Sequence, residues 1–273
     1  MSLETNASAR MIFRKTNAGL GRHIAVTPAN STNRHLSYGR IILNGQMSSA
    51  AFRNGDQETG FIVLSGAAKI SVDGRPFDLT QYDGVYIPRD SAVEVTTAAD
   101  VDIAEFSSDV ANRYPLQVVR YADISRDASL QFTAGVPTQQ RRLNIVLGKN
   151  VEAGRLVAGF TMSEPGNWSS WPPHEHAAML EEMYVYFNMP EPAFAIQMVY
   201  ENTESPEVVT VVRDGDAVLM PGGYHPNVSV PGHRMCFLWA MAAHREKLDR
   251  QFGVVNVQPG FGAGGSGLEA SHK

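Results

Sequence analysis

Apolar residues recur along this chain in short runs that are separated by turn-forming residues. Between Ile41 and Phe106 these runs are rich in Val, Ile, Phe and Tyr, and Asn-Gly, Ser-Gly and Asp-Gly pairs interrupt them. Runs of this kind predict an all-β sandwich or barrel. The segment Val72–Arg75, with Asp-Gly at its centre, predicts the clearest hairpin turn. Helical spacing does not occur in this region.

The second half of the chain repeats the pattern. Strands are predicted at residues 143–147, 155–162, 183–187, 194–200, 208–213, 217–220 and 235–241. Each half contains a hairpin, then an Asp-Gly pair, then a strand that ends in a proline, which is Pro88 in the first half and Pro221 in the second. Two copies of one barrel in tandem are the simplest interpretation.

This interpretation divides the chain into three parts. Residues 1–140 are expected to form the first barrel, with an N-terminal arm over 1–37 and a connector over 109–140 that has a short helix at 122–130. Residues 141–259 form the second barrel. Residues 260–273, rich in Gly and Ser, are expected to be a flexible tail.

Composition and charge exclude several classes of partner and of structure. The 273 residues suffice for two cores of ordinary size. A net charge of −5, with 19% charged residues, implies no basic face, so nucleic acid is not expected as a partner. The single cysteine, Cys236, excludes an intrachain disulfide framework. Because neither an apolar run of membrane-spanning length nor a signal-peptide pattern is present, we expect a cytoplasmic protein without a membrane partner.

The segment 166–188 carries the first candidate metal ligands. His174 and His176 are two residues apart, so on an extended segment both imidazoles point to the same side, and Glu175 points away. Pro172-Pro173 favours that extended approach. The histidine pair is therefore suited to binding one metal ion.

Two neighbouring acids follow the histidines. Glu182 shares a strand face with Tyr184 and Tyr186, which makes it the preferred ligand. Glu181 is expected at the turn before this strand, and it stays the alternative ligand because the loop 177–180 could present either acid.

A third imidazole, His225, follows the predicted tight turn at Gly222-Gly223. Three histidines and one carboxylate suit Zn, Mn, Fe or Ni. Alignment of Pro88 with Pro221 places Ala92 at the position of His225, so only the second barrel is expected to hold a metal in this way.

The motifs resemble those of the cupin superfamily. PPHEHAAMLEE is similar to its first motif, in which Glu follows His-x-His, and GDAVLMPGGYHP is similar to its second. A narrower resemblance is to the uronate isomerase family, on GNWSSWPPHEH, LEEMYVYFNM and RDGDAVLMPGGYHPNVSVPGH. That family contains isomerases of inositol catabolism and of pectin breakdown. GNWSS-x-PPH and Gln197 favour the inositol branch, whereas YFNM is more similar to the pectin branch.

The resemblance implies two cupin barrels, with the metal-free barrel first. It also implies one divalent metal, Zn by preference, held by His174, His176, Glu182 and His225. The expected activity is interconversion of an aldose and a ketose on a deoxy-uronate sugar by a cytoplasmic homo-oligomer, with 5-deoxy-glucuronate of inositol catabolism as the preferred substrate and the 5-keto-4-deoxyuronate of pectin breakdown as the alternative.

Several residues are candidates for the chemistry. Glu181, Tyr184 and Tyr186 are the candidates for proton transfer, with His233 a weaker one. For the substrate carboxylate, bidentate pairing favours Arg142 or Arg213. Gln197 is a candidate for hydrogen bonding to a sugar hydroxyl, and Trp171 with Trp168 for the rim of the site.

Two other functions remain open from the residues. Three histidines and a glutamate would equally serve an iron or nickel dioxygenase. A sugar-binding or storage protein with a structural metal is the non-enzymatic alternative.

Overall fold

The computed structural model describes residues 8–262 and 269–270. Over these residues the protein is almost entirely β-structure, which confirms the predicted all-β class; the helical elements are α1, a single turn at Tyr121–Ile124, and a 3-10 turn at Ser8–Arg10. The predicted flexible tail falls mostly outside the described residues. Among the residues described, no helix has the length and apolar character needed to cross a membrane.

The strands as far as the connector are β1 (Ile12–Phe13), β2 (Gly21–Val26), β3 (Ser37–Leu43), β4 (Ser49–Arg53), β5 (Gln57–Val72), β6 (Arg75–Thr80), β7 (Gly84–Ile87), β8 (Ala92–Thr96), β9 (Val101–Asp109), β10 (Gln117–Val119) and β11 (Gln131–Ala134). The remaining strands are β12 (Arg141–Leu147), β13 (Leu156–Ser163), β14 (Trp168–Ser169), β15 (His174–Glu175), β16 (Leu180–Tyr186), β17 (Ala195–Val199), β18 (Val208–Val212), β19 (Ala217–Met220), β20 (Asn227–Ser229), β21 (Cys236–Ala243), β22 (Val254–Val257) and β23 (Glu269–Ala270).

Two large sheets have matching strand orders. One runs β10-β7-β5-β9-β3-β2, and the other runs β1-β19-β16-β21-β13-β12-β11. Two smaller layers match as well, since β4-β8-β5-β6 in the first half corresponds to β14-β20-β17-β18 in the second. The strand β15 lies apart from these, in a short sheet with β22 and β23.

The predicted boundary at residue 140 does not coincide with the pairing of every strand. β1 and β11 precede this boundary, yet β1 pairs with β19 and β11 pairs with β12 in the second large sheet. β10, which also precedes the boundary, pairs with β7 in the first large sheet. The first 140 residues therefore contribute two strands to the second large sheet.

The strand β5 differs from its prediction. The sequence predicts a break between two strands at Ser65-Gly66, but the strand runs on and forms part of both layers of the first half. The register shifts between Val63 and Ser65, and Gly66 adopts a φ of +77° at a position where a β-carbon would clash with the carbonyl of Asp100. A glycine permits this bend without ending the strand.

Two turn predictions have different outcomes. The hairpin at Val72–Arg75 is confirmed, because Val72 pairs with Arg75 and both Asp73 and Gly74 have positive φ. The predicted helix at 122–130 is wrong beyond Ile124. The carboxylate of Asp127 accepts hydrogen bonds from both the amide and the hydroxyl of Ser129, and such local bonds compete with helix formation.

Alternation along β5 divides its side chains between two cores. Phe61 and Val63 face the interior of the first half. Ile62 and Leu64 face the opposite way and belong to the larger cluster that includes the second half. Because both faces of this sheet are buried, the interior of the first half is filled by apolar side chains.

Candidate metal centre and substrate cavity

Four side chains named from the sequence meet inside the second half. His174 begins β15, His176 lies just after that strand, and Glu182 is the third residue of β16. These three line one cavity, and His225 lies against them. All four side chains are buried.

The turn before His225 explains how this residue reaches the cavity. Gly223 has a φ of +82°, which glycine adopts without strain. Tyr224 and Tyr200 exchange two backbone hydrogen bonds of 2.8 and 3.0 Å directly beside it. The predicted tight turn is thus present and fixed to the strand region behind it.

Three of the four side chains form a compact group. The Nε2 atoms of His176 and His225 lie 2.9 and 3.1 Å from the same oxygen of Glu182, Oε2. One ligand atom from each residue lies within 4.8 Å of the others. His174 lies outside that group, but its ring centroid is 5.0 Å from that of His225.

The orientation of the imidazoles is set by main-chain carbonyls. Nδ1 of His174 lies 2.7 Å from the oxygen of Pro172, Nδ1 of His176 lies 3.2 Å from that of Leu180, and Nδ1 of His225 lies 2.9 Å from that of Gly223. A carbonyl oxygen can only accept, so each Nδ1 carries the proton. In its neutral form, each ring therefore presents the lone pair of Nε2, as metal-binding histidines do.

This arrangement requires a cation between His176 and Glu182. A lone pair on Nε2 and a carboxylate oxygen would repel at 2.9 Å unless a proton or a metal ion lay between them. Burial disfavours charge on both groups, but their interaction outweighs it: the pKa of His176 is raised, and that of Glu182 is lowered to about 2.

The other two histidines also fit a metal ligand set. Burial, and next the neighbouring His225, lower the pKa of His174 to about 3, so this ring is neutral at physiological pH. Within the described part of the chain, Nε2 of His225 is buried, and apart from its 3.1 Å approach to the Glu182 carboxylate it has no hydrogen-bond partner. Buried polar atoms are rarely left in this state. A divalent ion among these nitrogens and the Glu182 carboxylate would satisfy them.

Beyond these ligands the cavity is mostly apolar. Leu143, Phe237, Trp239 and Met241 form much of its wall. Its polar groups include Tyr184, whose hydroxyl lies 2.6 Å from Oγ of Ser170, and Arg141. A cavity with apolar walls and few converging polar groups is typical of a small-molecule site.

Residues 11–254 match the model of the KduI/IolB family. The chain belongs to the KduI/IolB family. The predicted membership in the uronate isomerase family is thereby confirmed.

Relatives in this family are named as isomerases. The chain is 30% identical over 204 residues to the 5-deoxy-glucuronate isomerase of Geobacillus kaustophilus, which covers 68% of this chain and 72% of that protein. It is 26% identical over 213 residues to the 4-deoxy-L-threo-5-hexosulose-uronate ketol-isomerase of Caldicellulosiruptor bescii, covering 76% and 74%.

Solved structures share the fold. An IolB-like protein from Salmonella typhimurium superposes with a TM-score of 0.79 at 20% identity, over 92% of this chain and 97% of that one. An oxalate decarboxylase of Bacillus subtilis superposes with a TM-score of 0.62 at 11% identity, over 87% and 78%. At these identities the comparison supports a cupin-like fold.

The structure corrects the expected position of Glu181. This residue lies within β16 rather than at the turn before it, so alternation sends its side chain to the face opposite Glu182. Its carboxylate accepts backbone hydrogen bonds from Arg34, His35 and Leu36 at 2.6 to 2.7 Å. The Glu181 carboxylate is therefore held away from the cavity. This position fits neither the alternative metal ligand nor the proton-transfer group that the sequence suggested.

The two tyrosines predicted on the ligand face are separated. Tyr184 lines the cavity, whereas Tyr186 does not. The hydroxyl of Tyr186 donates to Oε1 of Gln197 at 2.5 Å and accepts from the amide of Asn227 at 3.2 Å. Gln197 in turn donates to the carbonyl of His225 at 3.1 Å. Gln197 and Tyr186 thus support the segment that carries His225 instead of lining the cavity.

The arginines expected to bind the substrate carboxylate and the tryptophan expected at the rim do not line the cavity. Arg142 is exposed and does not line the cavity, while Arg213 lies beside Phe194 at a different surface hollow. Trp171 packs on Trp168 and Phe261, with ring centroids at 5.2 and 5.3 Å, outside the cavity lining. His233 is not among the lining residues either.

Sequence reasoning missed Arg141 and Ser170. Arg141 shares its strand face with Leu143, which also lines the cavity, because the two are separated by two residues on β12. The predicted strand began at 143, and an earlier start would have identified Arg141 by alternation. Ser170 lies in an irregular turn with a φ of +51°, which no sequence pattern indicated.

The first half lacks the ligands for a reason visible in its pairing. Glu182 pairs with Met220, the residue before Pro221, and Thr59 pairs with Ile87, the residue before Pro88. Thr59 therefore occupies the position of Glu182. Phe61, two residues later, fills the interior at the position of Tyr184.

Proposed function

We propose that this member of the KduI/IolB family is a metal-dependent isomerase that interconverts an aldose and a ketose on a deoxy-uronate sugar, with 5-deoxy-glucuronate as its substrate. The observation that carries the proposal is the convergence of buried Nε2 lone pairs on the Glu182 carboxylate. It occurs in a chain whose relatives are named as isomerases of two such sugars.

The proposed ligands are His174, His176, Glu182 and His225, and the proposed metal is Zn. The hydrogen bonds from Nδ1 to main-chain carbonyls hold the three rings in place before the ion binds. When bound, a divalent cation would polarise the substrate carbonyl and stabilise the negative charge that develops on its oxygen.

We assign proton transfer at oxygen to Tyr184. Burial, and next the negative charge of Glu182, raise the pKa of Tyr184 well above its usual range, so the phenol keeps its proton at neutral pH. It can donate this proton to the carbonyl oxygen while a separate general base removes the proton of the adjacent carbon, which forms the enediol; the phenolate then takes the proton of the adjacent hydroxyl as that base returns its proton to the former carbonyl carbon. Ser170, 2.6 Å away, orients the phenol for both steps.

The second candidate substrate is the 4-deoxy-5-keto uronate of the other family branch, favoured by the relative in Caldicellulosiruptor bescii. Incubation of the metal-loaded protein with each sugar, followed by NMR, tests both. Faster conversion of 5-deoxy-glucuronate is the expected result. Faster conversion of the 4-deoxy-5-keto uronate would assign the chain to the other branch.

Failure to convert either sugar would overturn the isomerase proposal. Tight binding of either sugar without conversion would instead favour a sugar-binding protein. Iron in the purified protein, together with oxygen-dependent consumption of a substrate, would favour a dioxygenase.

The same proposal includes two tandem cupin barrels, over 1–140 and 141–259, with the metal in the second. The matching strand orders of the two large sheets support this arrangement. A cytoplasmic homo-oligomer completes the proposal. The exposed apolar pair formed by Ile196 and Val211 on β17 and β18 is a surface that such an oligomer could bury, and light scattering measures its mass.

A further inference from the structure

We propose that Arg141 binds the carboxylate of the sugar acid and so determines which end of the substrate faces the metal ligands. This inference rests on the proposed function, because it concerns the substrate of that same cavity.

The position of Arg141 is fixed by its strand. Arg141 is the first residue of β12 and pairs with Ser163 on β13. Its side chain lies in the cavity wall and is only 4% exposed. Arg142, the next residue, points to solvent by alternation and is exposed. The strand thus places one of two adjacent arginines inside the cavity and the other outside.

Main-chain carbonyls hold the guanidinium in one orientation. Nη1 of Arg141 donates to the oxygen of Gln139 at 3.0 Å, and Nη2 donates to the oxygen of Trp171 at 2.7 Å. The carbonyl of Trp171 belongs to the segment that leads directly to His174. The same segment therefore positions the guanidinium and the first metal ligand.

The charge of Arg141 persists inside the cavity. Burial lowers the pKa of Arg141 to about 10, so the side chain is still protonated at neutral pH. Carboxylates are the anions that match the planar, forked geometry of a guanidinium.

Along the cavity, Tyr184 lies between Arg141 and the metal ligands. Glu182 and Tyr184 are two residues apart on one face of β16, and the ring of Tyr184 is 5.8 Å from that of His225. On the other side, the hydroxyl of Tyr184 lies 2.6 Å from Oγ of Ser170, the residue before Trp171, and the carbonyl of Trp171 accepts from Arg141 at 2.7 Å. A sugar acid fits this order with its carboxylate at Arg141 and its carbonyl at the metal ligands.

The remaining wall favours the same assignment. Among the described residues that line the cavity, Arg141 is the one lysine or arginine. Much of the rest is apolar, including Leu143, Phe237 and Trp239. A carboxylate entering this environment needs a cation, and Arg141 supplies one away from the metal ligands.

The test compares a sugar acid with its neutral amide. Calorimetric titration of the metal-loaded full-length protein with glucuronate and with glucuronamide measures the preference for the carboxylate. We expect Arg141→Gln to weaken glucuronate binding about ten- to a hundredfold, since hydrogen bonds to charged groups are the stronger class. Glucuronamide binding should change little. Arg142→Gln is the matched control and should leave both affinities unchanged.

A purely structural role gives a different result. If Arg141 only supported the turn at Trp171, Arg141→Gln would weaken both ligands equally, and this outcome would overturn the proposal. So would a wild-type protein that binds glucuronate no better than the amide. Arg141→Lys keeps the charge without the fork, so it should recover part of the preference, and it serves if the glutamine variant does not fold.

This experiment is independent of turnover, because neither ligand needs to react. An Arg141-dependent preference in a protein that converts neither uronate would disprove the isomerase function and retain the carboxylate site. Conversion of the uronates without such a preference would support the isomerase function and disprove the carboxylate site. With the true substrate, we expect Arg141→Gln to raise KM more than it lowers kcat.

Discussion

Glu58 and Glu181 lie in opposite halves of the chain, and each accepts three backbone hydrogen bonds from the other half. Glu58 accepts from the backbone amides of residues 154–156, at 2.7, 2.6 and 2.8 Å. Glu181 accepts from the backbone amides of residues 34–36, at 2.7, 2.7 and 2.6 Å. Each carboxylate is the second residue of its strand, β5 or β16, and each holds the chain that enters the other half.

This reciprocal contact connects the first half with the metal centre. Glu181 precedes Glu182, so residues 34–36 fix the backbone immediately beside a proposed ligand. Glu58 has no such neighbour, because Thr59 occupies the equivalent position. The two glutamates are therefore structurally alike, but only one adjoins the site.

Substitution of either glutamate by glutamine should destabilise the protein. An amide offers one acceptor oxygen and no charge, so we expect Glu58→Gln and Glu181→Gln each to cost about 2–4 kcal/mol in the free energy of unfolding. Chemical denaturation measures this cost. Metal affinity should distinguish the two variants, because Glu181→Gln should weaken metal binding and Glu58→Gln should not.

Equal metal affinities in the two variants would show that the first half does not position the ligands. Both carboxylates are buried and each accepts three backbone hydrogen bonds, but Glu58 also accepts one from the hydroxyl of Tyr86 at 2.7 Å, so Glu58→Gln should be the more destabilising of the two.

Loss of His176 should remove metal and activity together. His176→Ala deletes a nitrogen that lies 2.9 Å from the Glu182 carboxylate. Elemental analysis of the purified variant measures metal content. His233→Ala is the control and should retain both metal and turnover, because His233 does not line the cavity. Full metal occupancy in His176→Ala would show that the ligand assignment is wrong.

Metal binding should strengthen as pH rises. Burial alone would lower the pKa of His176, but Glu182 raises it above its ordinary value of 6.5, so the metal must displace a proton from this ring. Affinity should gain up to about tenfold per pH unit until the raised pKa is passed. Competition with a chromophoric chelator at several pH values measures it, and an affinity independent of pH would exclude His176 as a ligand.

In the metal-free protein the same shift has the opposite effect on stability. The pair formed by His176 and Glu182 stabilises the fold fully between about pH 4.5 and 6.5. The contribution of His176 is lost as the pH rises through its raised pKa, and that of Glu182 is lost as the pH falls from 4.5 toward about 2. Metal therefore binds best under conditions in which the metal-free site contributes least.

The two tyrosines should behave differently when the hydroxyl is removed. Tyr184→Phe should lower kcat about 10²- to 10⁴-fold while metal content is unchanged, because the phenol is the proposed proton donor. Tyr186→Phe should keep kcat within a few-fold, since its hydroxyl bonds to Gln197 and Asn227 away from the cavity. Similar rates in both variants would contradict the role given to Tyr184.

The sequence predicted the elements that depend on local rules. Alternation along β16 correctly placed Glu182 and Tyr184 on the cavity face, and Asp73-Gly74 correctly gave a hairpin. The acids could not be separated by spacing alone, because a one-residue error in the start of β16 exchanges the faces of Glu181 and Glu182.

The errors came from contacts between distant segments. The role of Glu181 depends on backbone amides about 145 residues away, which no local pattern reports. Gln197 and Tyr186 bond to each other across two strands, so they appeared as two candidates for the site rather than one structural pair. The orientation of Arg141 depended on where β12 begins, and strand ends are hard to place from sequence.

The most direct measurement of the central claim follows 5-deoxy-glucuronate by NMR with metal-stripped protein, before and after addition of one equivalent of metal. The account predicts no product before addition and full turnover after it, with Glu182→Gln inactive in both conditions. Full turnover by protein shown to contain no metal, or by Glu182→Gln, would contradict it.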